Sequence, residues 1–155
     1  MLNPKLPPWF TKDGLDLSLY PIDSVLRHAL SVNGEEFRTA CSLLKSMCGS
    51  GRLEAGIFLL GLLRHYPNDY RRLILIADSL ESYPTLATVE AFASELRRVT
   101  GSSTTRGYLR RIIDALERFP LEITEVLVEG LADDPQVGAR FRQRLKTLLR
   151  GPDYE

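Results

Sequence analysis

A chain of 155 residues is long enough for one well-buried domain, hiding roughly 70% of its unfolded surface, and short for two. Its 44% apolar and 26% charged residues are those of an ordinary globular protein, with twenty basic side chains against twenty acidic ones. That neutrality excludes a global field drawing the chain to nucleic acid or to an anionic membrane, so any electrostatic preference has to be local.

Residues 1–20 read as an extended N-terminal arm. Pro4, Pro7, Pro8 and Pro21 frame Trp9-Phe10 and the alternating Leu15, Leu17 and Leu19, and prolines bias their predecessors away from helix. The arm either packs on its own domain or stays free to meet another chain, and Trp9 and Phe10 are its candidate contact residues.

From Pro21 the apolar spacing is helical, and no strand is expected. Ile22, Val25, Leu26, Ala29 and Leu30 form the first stripe, stopped at Asn33-Gly34. Phe37, Ala40, Cys41, Leu44, Met47 and Cys48 form the second, stopped at Gly49-Ser50-Gly51. A third helix, about Leu53 to His65, is apolar on nearly all sides, a pattern that predicts burial by several neighbours. Tyr66-Pro67 ends it. Asn68 is placed to cap the fourth, which turns Leu73, Ile74, Ala77 and Leu80 inward and ends at Tyr83-Pro84.

The fifth helix carries Leu86, Val89, Ala93, Leu96 and Val99. The sixth carries Leu109, Ile112, Ile113, Leu116 and Phe119 and is broken by Pro120. The seventh, Leu121 to Ala132, carries Ile123, Val126, Leu127 and Leu131. Asp133-Asp134-Pro135 predicts the start of an eighth, with Val137, Phe141, Leu145, Leu148 and Leu149 inward and Gly151-Pro152 as its end. The helical domain is thus residues 21–151, and 152–155 are a tail.

Cys41 and Cys48 lie seven residues apart on one helix, about 10.5 Å along its axis and beyond the reach of a disulfide. They read as buried thiols of a reducing compartment. No leader-like pattern opens the chain, and the longest apolar run, Ala55 to Leu63, is nine residues against the ~20 needed to span a bilayer. The cytoplasm is the expected location.

The breakers Tyr66-Pro67, Tyr83-Pro84, Thr100-Gly101 and Phe119-Pro120 recur at steps of 17, 17 and 19 residues. Two helices with their turns therefore repeat at about 35 residues, the signature of a helical solenoid. Four stacked hairpins fill Pro21 to Arg150. Each aromatic is expected to pack back on the helix that it ends while Pro prevents continuation.

Leu131, Asp133, Asp134, Pro135 and Val137 resemble the HEAT-type repeat pattern of an acidic residue and Pro followed by Val-Arg. Here Gly138 stands where Arg is usual, and Arg140 comes two residues late. Thr105-Arg106 with Leu109, Ala115 and Leu116, and Tyr70-Arg71 with Ile74 and Leu80, are looser matches. The resemblance covers about Leu53 to Arg150 and implies an all-α, right-handed solenoid of about four hairpins. It also implies a protein-binding scaffold, small members resembling adaptors or immunity proteins. A related group excises damaged DNA bases through an aromatic-lined basic channel. The single Trp lies in the arm, so that activity does not carry over.

No constellation of catalytic residues appears, and no enzyme activity, cofactor or metal is expected. His28 and His65 are isolated near helix ends, where the dipole favours a cation, and no ligand pair has zinc-site spacing. The Gly49-Ser50-Gly51 and Gly101-Ser102-Ser103 loops lack the Lys-Ser/Thr ending of a nucleotide-binding loop. Arg110-Asp114 and Asp114-Arg118 read as solvated pairs within one helix.

Charge is segregated instead. Leu121 to Asp133 holds Glu122, Glu125, Glu129 and Asp133 with no basic residue; Asp134 to Arg150 holds Arg140, Arg142, Arg144, Lys146 and Arg150 against one acid. The sixth helix adds Arg106, Arg110, Arg111 and Arg118 against Asp114 and Glu117. If helices pair in sequence, the sixth and eighth form a basic ridge and the seventh an acidic outer face. Adjacent helices then either neutralise one another, or Arg106, Arg110, Arg111, Arg140 and Arg144 meet an acidic partner surface, where arginine is a frequent hot spot. A non-catalytic scaffold or adaptor with a protein partner is the leading expectation. The alternatives are nucleic-acid backbone binding through the same ridge and an immunity-type inhibitor of a toxin. No membrane association is expected.

Overall fold

The structure, a computed structural model, describes residues 6–151, so Pro4 and the 152–155 tail lie outside the described residues. A two-stranded hairpin precedes eight helices: β1 (Phe10–Thr11), β2 (Gly14–Leu15), α1 (Ile22–Ala29), α2 (Gly34–Gly49), α3 (Leu53–His65), α4 (Tyr70–Leu80), α5 (Leu86–Arg98), α6 (Arg106–Arg118), α7 (Leu121–Ala132) and α8 (Ala139–Arg150). The described residues are all-α apart from that hairpin.

The arm is therefore not simply extended. Phe10 pairs with Leu15 and Thr11 with Gly14 in antiparallel register. Gly14, at φ +129°, supplies a backbone conformation that a side chain would disfavour. Beyond the hairpin, Leu17 and Tyr20 rest on the core, and the Arg52 guanidinium donates to the carbonyls of both. The end of the arm thus packs on its own domain through Leu17 and Tyr20, while Leu6, Phe10, Leu15 and Leu19 are exposed.

Side-chain caps set the starts of α2, α4 and α5. Asn33 accepts from the amides of Glu35 and Glu36 at 2.9 and 3.2 Å, and Thr85 accepts from Thr88 at 3.3 Å. Asp69, not Asn68, caps α4, accepting from the Arg72 amide. The expected start of α8 at Asp134-Pro135 is displaced to Ala139. Asp134 instead makes a turn, its carboxylate accepting from the Gln136 amide at 2.9 Å and from Arg97 of α5 at 2.7 Å. Val137 is anchored in the core and Gly138 precedes the first helical residue.

Sequence-adjacent helices pack together as α1 with α2, α2 with α3, α3 with α4, α5 with α6 and α7 with α8. The even-numbered helices also form a row, α2 on α4, α4 on α6 and α6 on α8. One apolar cluster runs through the whole, from Val25 and Phe37 through Leu73, Phe92, Tyr108 and Ile112 to Leu145. On the other side α5 packs on α7, while a groove of about 500 Å³ opens between α3 and α5. The all-round burial expected of α3 is thus not found: Leu53 is 64% and Ile57 63% exposed, and Ile57 lines the groove that α5 leaves open.

The aromatics ahead of the prolines reach across to other helices, and Tyr66 also packs on His65 of the helix that it ends. Tyr66 donates its hydroxyl to the Ala29 carbonyl of α1 at 3.0 Å and meets Phe37 of α2 edge-on. The Tyr83 ring lies against Gly56 of α3, and Phe119 stacks on Phe92 of α5 at 6.2 Å. A ring at a helix C-terminus has no following turn to cover, so its apolar surface is buried by the neighbouring helix. Arg72 completes the α4 contact with the α1–α2 turn. Its guanidinium lies 4.4 Å from the Phe37 ring centroid and donates to the Ser31 carbonyl at 2.9 Å.

Candidate functional site

Arginine at the N-terminal end of a helix sits against the positive end of the macrodipole, and both α6 and α8 carry one there. Arg106 is the first residue of α6 and Arg140 the second of α8, and neither helix has an acidic residue in its first turn. One turn on, Arg110 and Arg144 lie on the same faces. Packing α6 beside α8 brings all four guanidinium side chains round a cavity of about 390 Å³, with Phe141, Gly101 and Ser102 completing its wall.

The Gly101-Ser102 wall is held from both sides. Ser102 and Thr105 cap one another reciprocally, each backbone amide donating to the other's hydroxyl oxygen at 2.9 and 3.2 Å. Thr105 also donates to the Thr100 carbonyl at 2.7 Å. Beneath the turn, the Tyr108 hydroxyl of α6 donates to Glu95 Oε1 of α5 at 2.8 Å, and Arg98 grips both oxygens of Glu95 at 2.6 and 2.9 Å. Burial, and then the neighbouring Glu95 charge, push the Tyr108 phenol far above its ordinary pKa. The phenol therefore stays protonated as the donor that locks α5 to α6.

The four arginines differ in their partners. Arg144 Nη2 donates to Asp114 at 2.9 Å and Glu117 at 2.8 Å, both on α6, which fixes the guanidinium and leaves Nε and Nη1 without a partner among the described residues. Arg106, Arg110 and Arg140 are exposed and form no ion pair among the described residues. Arg111 is turned elsewhere. It bonds Asp78 of α4 at 3.3 Å and does not line the cavity.

The basic ridge expected along α6 and α8 is consequently shorter than the sequence suggested. Charges cross the row of even helices in alternation: Lys45 of α2 with Asp78 at 3.5 Å, Arg111 with Asp78, Arg118 with Glu81 at 2.7 Å, and Arg144 with Asp114 and Glu117. The i,i+4 pairs expected within α6 give way to these interhelical pairs. Mutual neutralisation holds for that stretch, and an unneutralised patch survives where α6 and α8 begin. On the other side Glu122, Glu125 and Glu129 of α7 are exposed, forming the acidic outer face.

Trp9 and Phe10 are not part of the cavity. Trp9 is half-buried edge-on to Tyr20 at 6.1 Å, and Phe10 is exposed on the hairpin. Phe141 escaped sequence reasoning as a site residue because it fits the inward stripe of α8; its signal is its place between Arg140 and Arg144. Cys41 and Cys48 are unpaired, and burial raises their thiols to about 12 and about 11. Both histidines are exposed, and His65 packs edge-on against Tyr66 at 4.7 Å.

Fold and site together define an all-helical protein with a small cationic cavity at the adjoining ends of two stacked helices. No helix among the described residues is long and apolar enough to cross a membrane. No protein-family model matches the chain, and neither a curated protein nor a solved structure matches it significantly.

Proposed function

We propose that the protein is a non-catalytic scaffold or adaptor of the cytoplasm, a HEAT-like solenoid of four helix hairpins that binds an acidic protein partner at the α6–α8 cavity. The observation that carries this reading is the convergence of Arg106, Arg110, Arg140 and Arg144 on one concavity beside Phe141, three of them without a carboxylate partner among the described residues. Arginine presents five donors in a rigid fork and is weakly hydrated, which suits it to an interface carboxylate. Phe141 supplies the apolar contact that such hot spots surround. The row of even helices and the free thiols support the solenoid and the reducing compartment.

The test is affinity capture from the native host with the wild-type chain and with Arg106→Glu, Arg110→Glu and Arg140→Glu combined. These positions are exposed, so the fold is retained, as circular dichroism will verify. A stoichiometric protein held by the wild type and lost by the variant is the expected result. Equal recovery by both overturns the reading. Retention of nucleic acid instead, with affinity falling by about 0.9 log units per phosphate contact for each tenfold rise in salt, replaces it with backbone binding.

A further inference from the structure

The cavity has a charge and a donor count that a single carboxylate does not match. Its four guanidinium groups and the two carboxylates that hold Arg144 leave a formal +2, bordered by the first turns of two helices that bring no acidic residue of their own. One Asp or Glu side chain neutralises half of that charge and offers two oxygens. A phosphate monoester brings a charge of about −1.5 to −2 at neutral pH and three acceptor oxygens. Arg106, Arg110 and Arg140 supply unengaged forks, and Arg144 supplies the separate Nε and Nη1 donors that its carboxylates leave without a partner.

We infer that the α6–α8 cavity is a recognition site for a phosphorylated side chain of a protein partner, the phosphoryl group lying among the four arginines and its carbon stem on Phe141. This rests on the partner-binding reading above and specifies which group of the partner is read. A nucleic-acid backbone fits less well. Its phosphates are diesters of one charge each, spaced along a strand, whereas the unpaired arginines gather round one volume of about 390 Å³. The helix ends add to the preference, because a dianion relieves the repulsion between Arg106, Arg140 and the dipoles behind them.

Calorimetric titration of the full chain with three probes separates the chemistries: phenyl phosphate, its methyl diester and benzoate. Phenyl phosphate is expected to bind with a Kd below about 1 mM and at least about tenfold tighter than the other two at pH 7.5. The cavity-lining charges are all arginines, which keep their charge throughout; the carboxylates facing them, Asp114 and Glu117, are shared by all three probes, so the difference between monoester and diester follows the ligand. At pH 5, below its second pKa of about 6, the monoester carries one charge and its advantage should shrink to about twofold or less. Arg106→Gln, Arg110→Gln and Arg140→Gln should each weaken phenyl phosphate by about tenfold, and Arg111→Gln, outside the cavity, should not.

Equal affinity for monoester and diester, no binding of any probe, or indifference to the three cavity substitutions overturns the inference. Phosphatase treatment of the lysate before capture separates its failure from that of the broader reading. A partner still captured through the arginines after dephosphorylation removes the phosphoryl group but keeps the protein interface. Capture that ignores the arginines removes both.

Discussion

Two glycines of α3, five residues apart, should respond to the same substitution with opposite sign. Replacing a helical glycine by alanine removes backbone freedom from the unfolded chain, a gain of about 0.5–1 kcal/mol where the new methyl group has room. A Cβ on Gly61 would meet no heavy atom within 4 Å, so Gly61→Ala is expected to gain that full amount. A Cβ on Gly56 would stand 2.6 Å from Tyr83 Cδ1, and the nearest atoms all belong to the body of the ring, not to a mobile tip. Displacing a packed ring costs about 1–3 kcal/mol, which leaves Gly56→Ala a net loss of up to about 2.5 kcal/mol. Urea unfolding gives both values, and melting should shift by about 2–4 °C per kcal/mol at this chain length. In the double variant Gly56→Ala with Tyr83→Ala the two effects should be less than additive by about 0.5–2 kcal/mol, since the clash is gone. If Gly56→Ala stabilises as much as Gly61→Ala, the Tyr83 ring does not rest on α3, and the account of the aromatic-proline turns as bridges between helices fails with it.

Other residues give equally direct tests. Tyr108→Phe removes one donor from nearly buried Glu95 but leaves both Arg98 bonds, so a loss of about 1–2 kcal/mol is expected in chemical denaturation. Because the Tyr108 phenol is held protonated in the fold, the ultraviolet titration of the folded protein up to about pH 10 should be the same in wild type and variant; a missing tyrosinate would count against the lock. Cys41 gives a pH dependence. Its thiol is raised from 9.0 to about 12 by burial, so between those values the folded state keeps a proton that the unfolded state gives up. Stability from this group is intact below pH 9 and falls as pH rises toward 12, by about 2–3 kcal/mol at pH 11. Cys41→Ala should be the less stable protein at pH 8 yet lose less between pH 9 and 11, and parallel urea midpoints for the two proteins would refute the assignment.

The crossed ion pairs bear on how the cavity keeps its charge. Arg111, Arg118 and Arg144 are each matched by a carboxylate from the preceding helix of the even row or its C-terminal cap, and exposed pairs of this kind contribute at most about 1 kcal/mol each. Their larger effect is to neutralise the middle of the row and leave the N-terminal turns of α6 and α8 cationic. A uniformly basic ridge would attract any polyanion. A patch confined to one concavity selects by the charge and size of a single group.

Most of each helical stripe was legible in the chain because helical periodicity is local, while Leu30, Leu86 and Val126, at stripe positions, are exposed where no neighbouring helix covers them. Phe37, Ala40, Cys41, Leu44 and Met47 are buried as their spacing required, and all four cavity arginines could be named as a cluster from their helices alone. What depends on which helices become neighbours was not legible. Asp134 reads as a helix cap until Arg97, 37 residues away, takes its carboxylate; Arg111 reads as a binding residue until Asp78, 33 residues away, turns it aside. Neither partner shares a turn of helix with the residue it claims, so no periodicity marks the pair. The sequence by itself determined the helices and the faces that they bury, since those follow from spacing within a turn or two. The tertiary arrangement decided which charges of α6 and α8 are cancelled and which remain at the cavity, because the partners of Arg111, Arg118 and Arg144 come within reach only where helices stack.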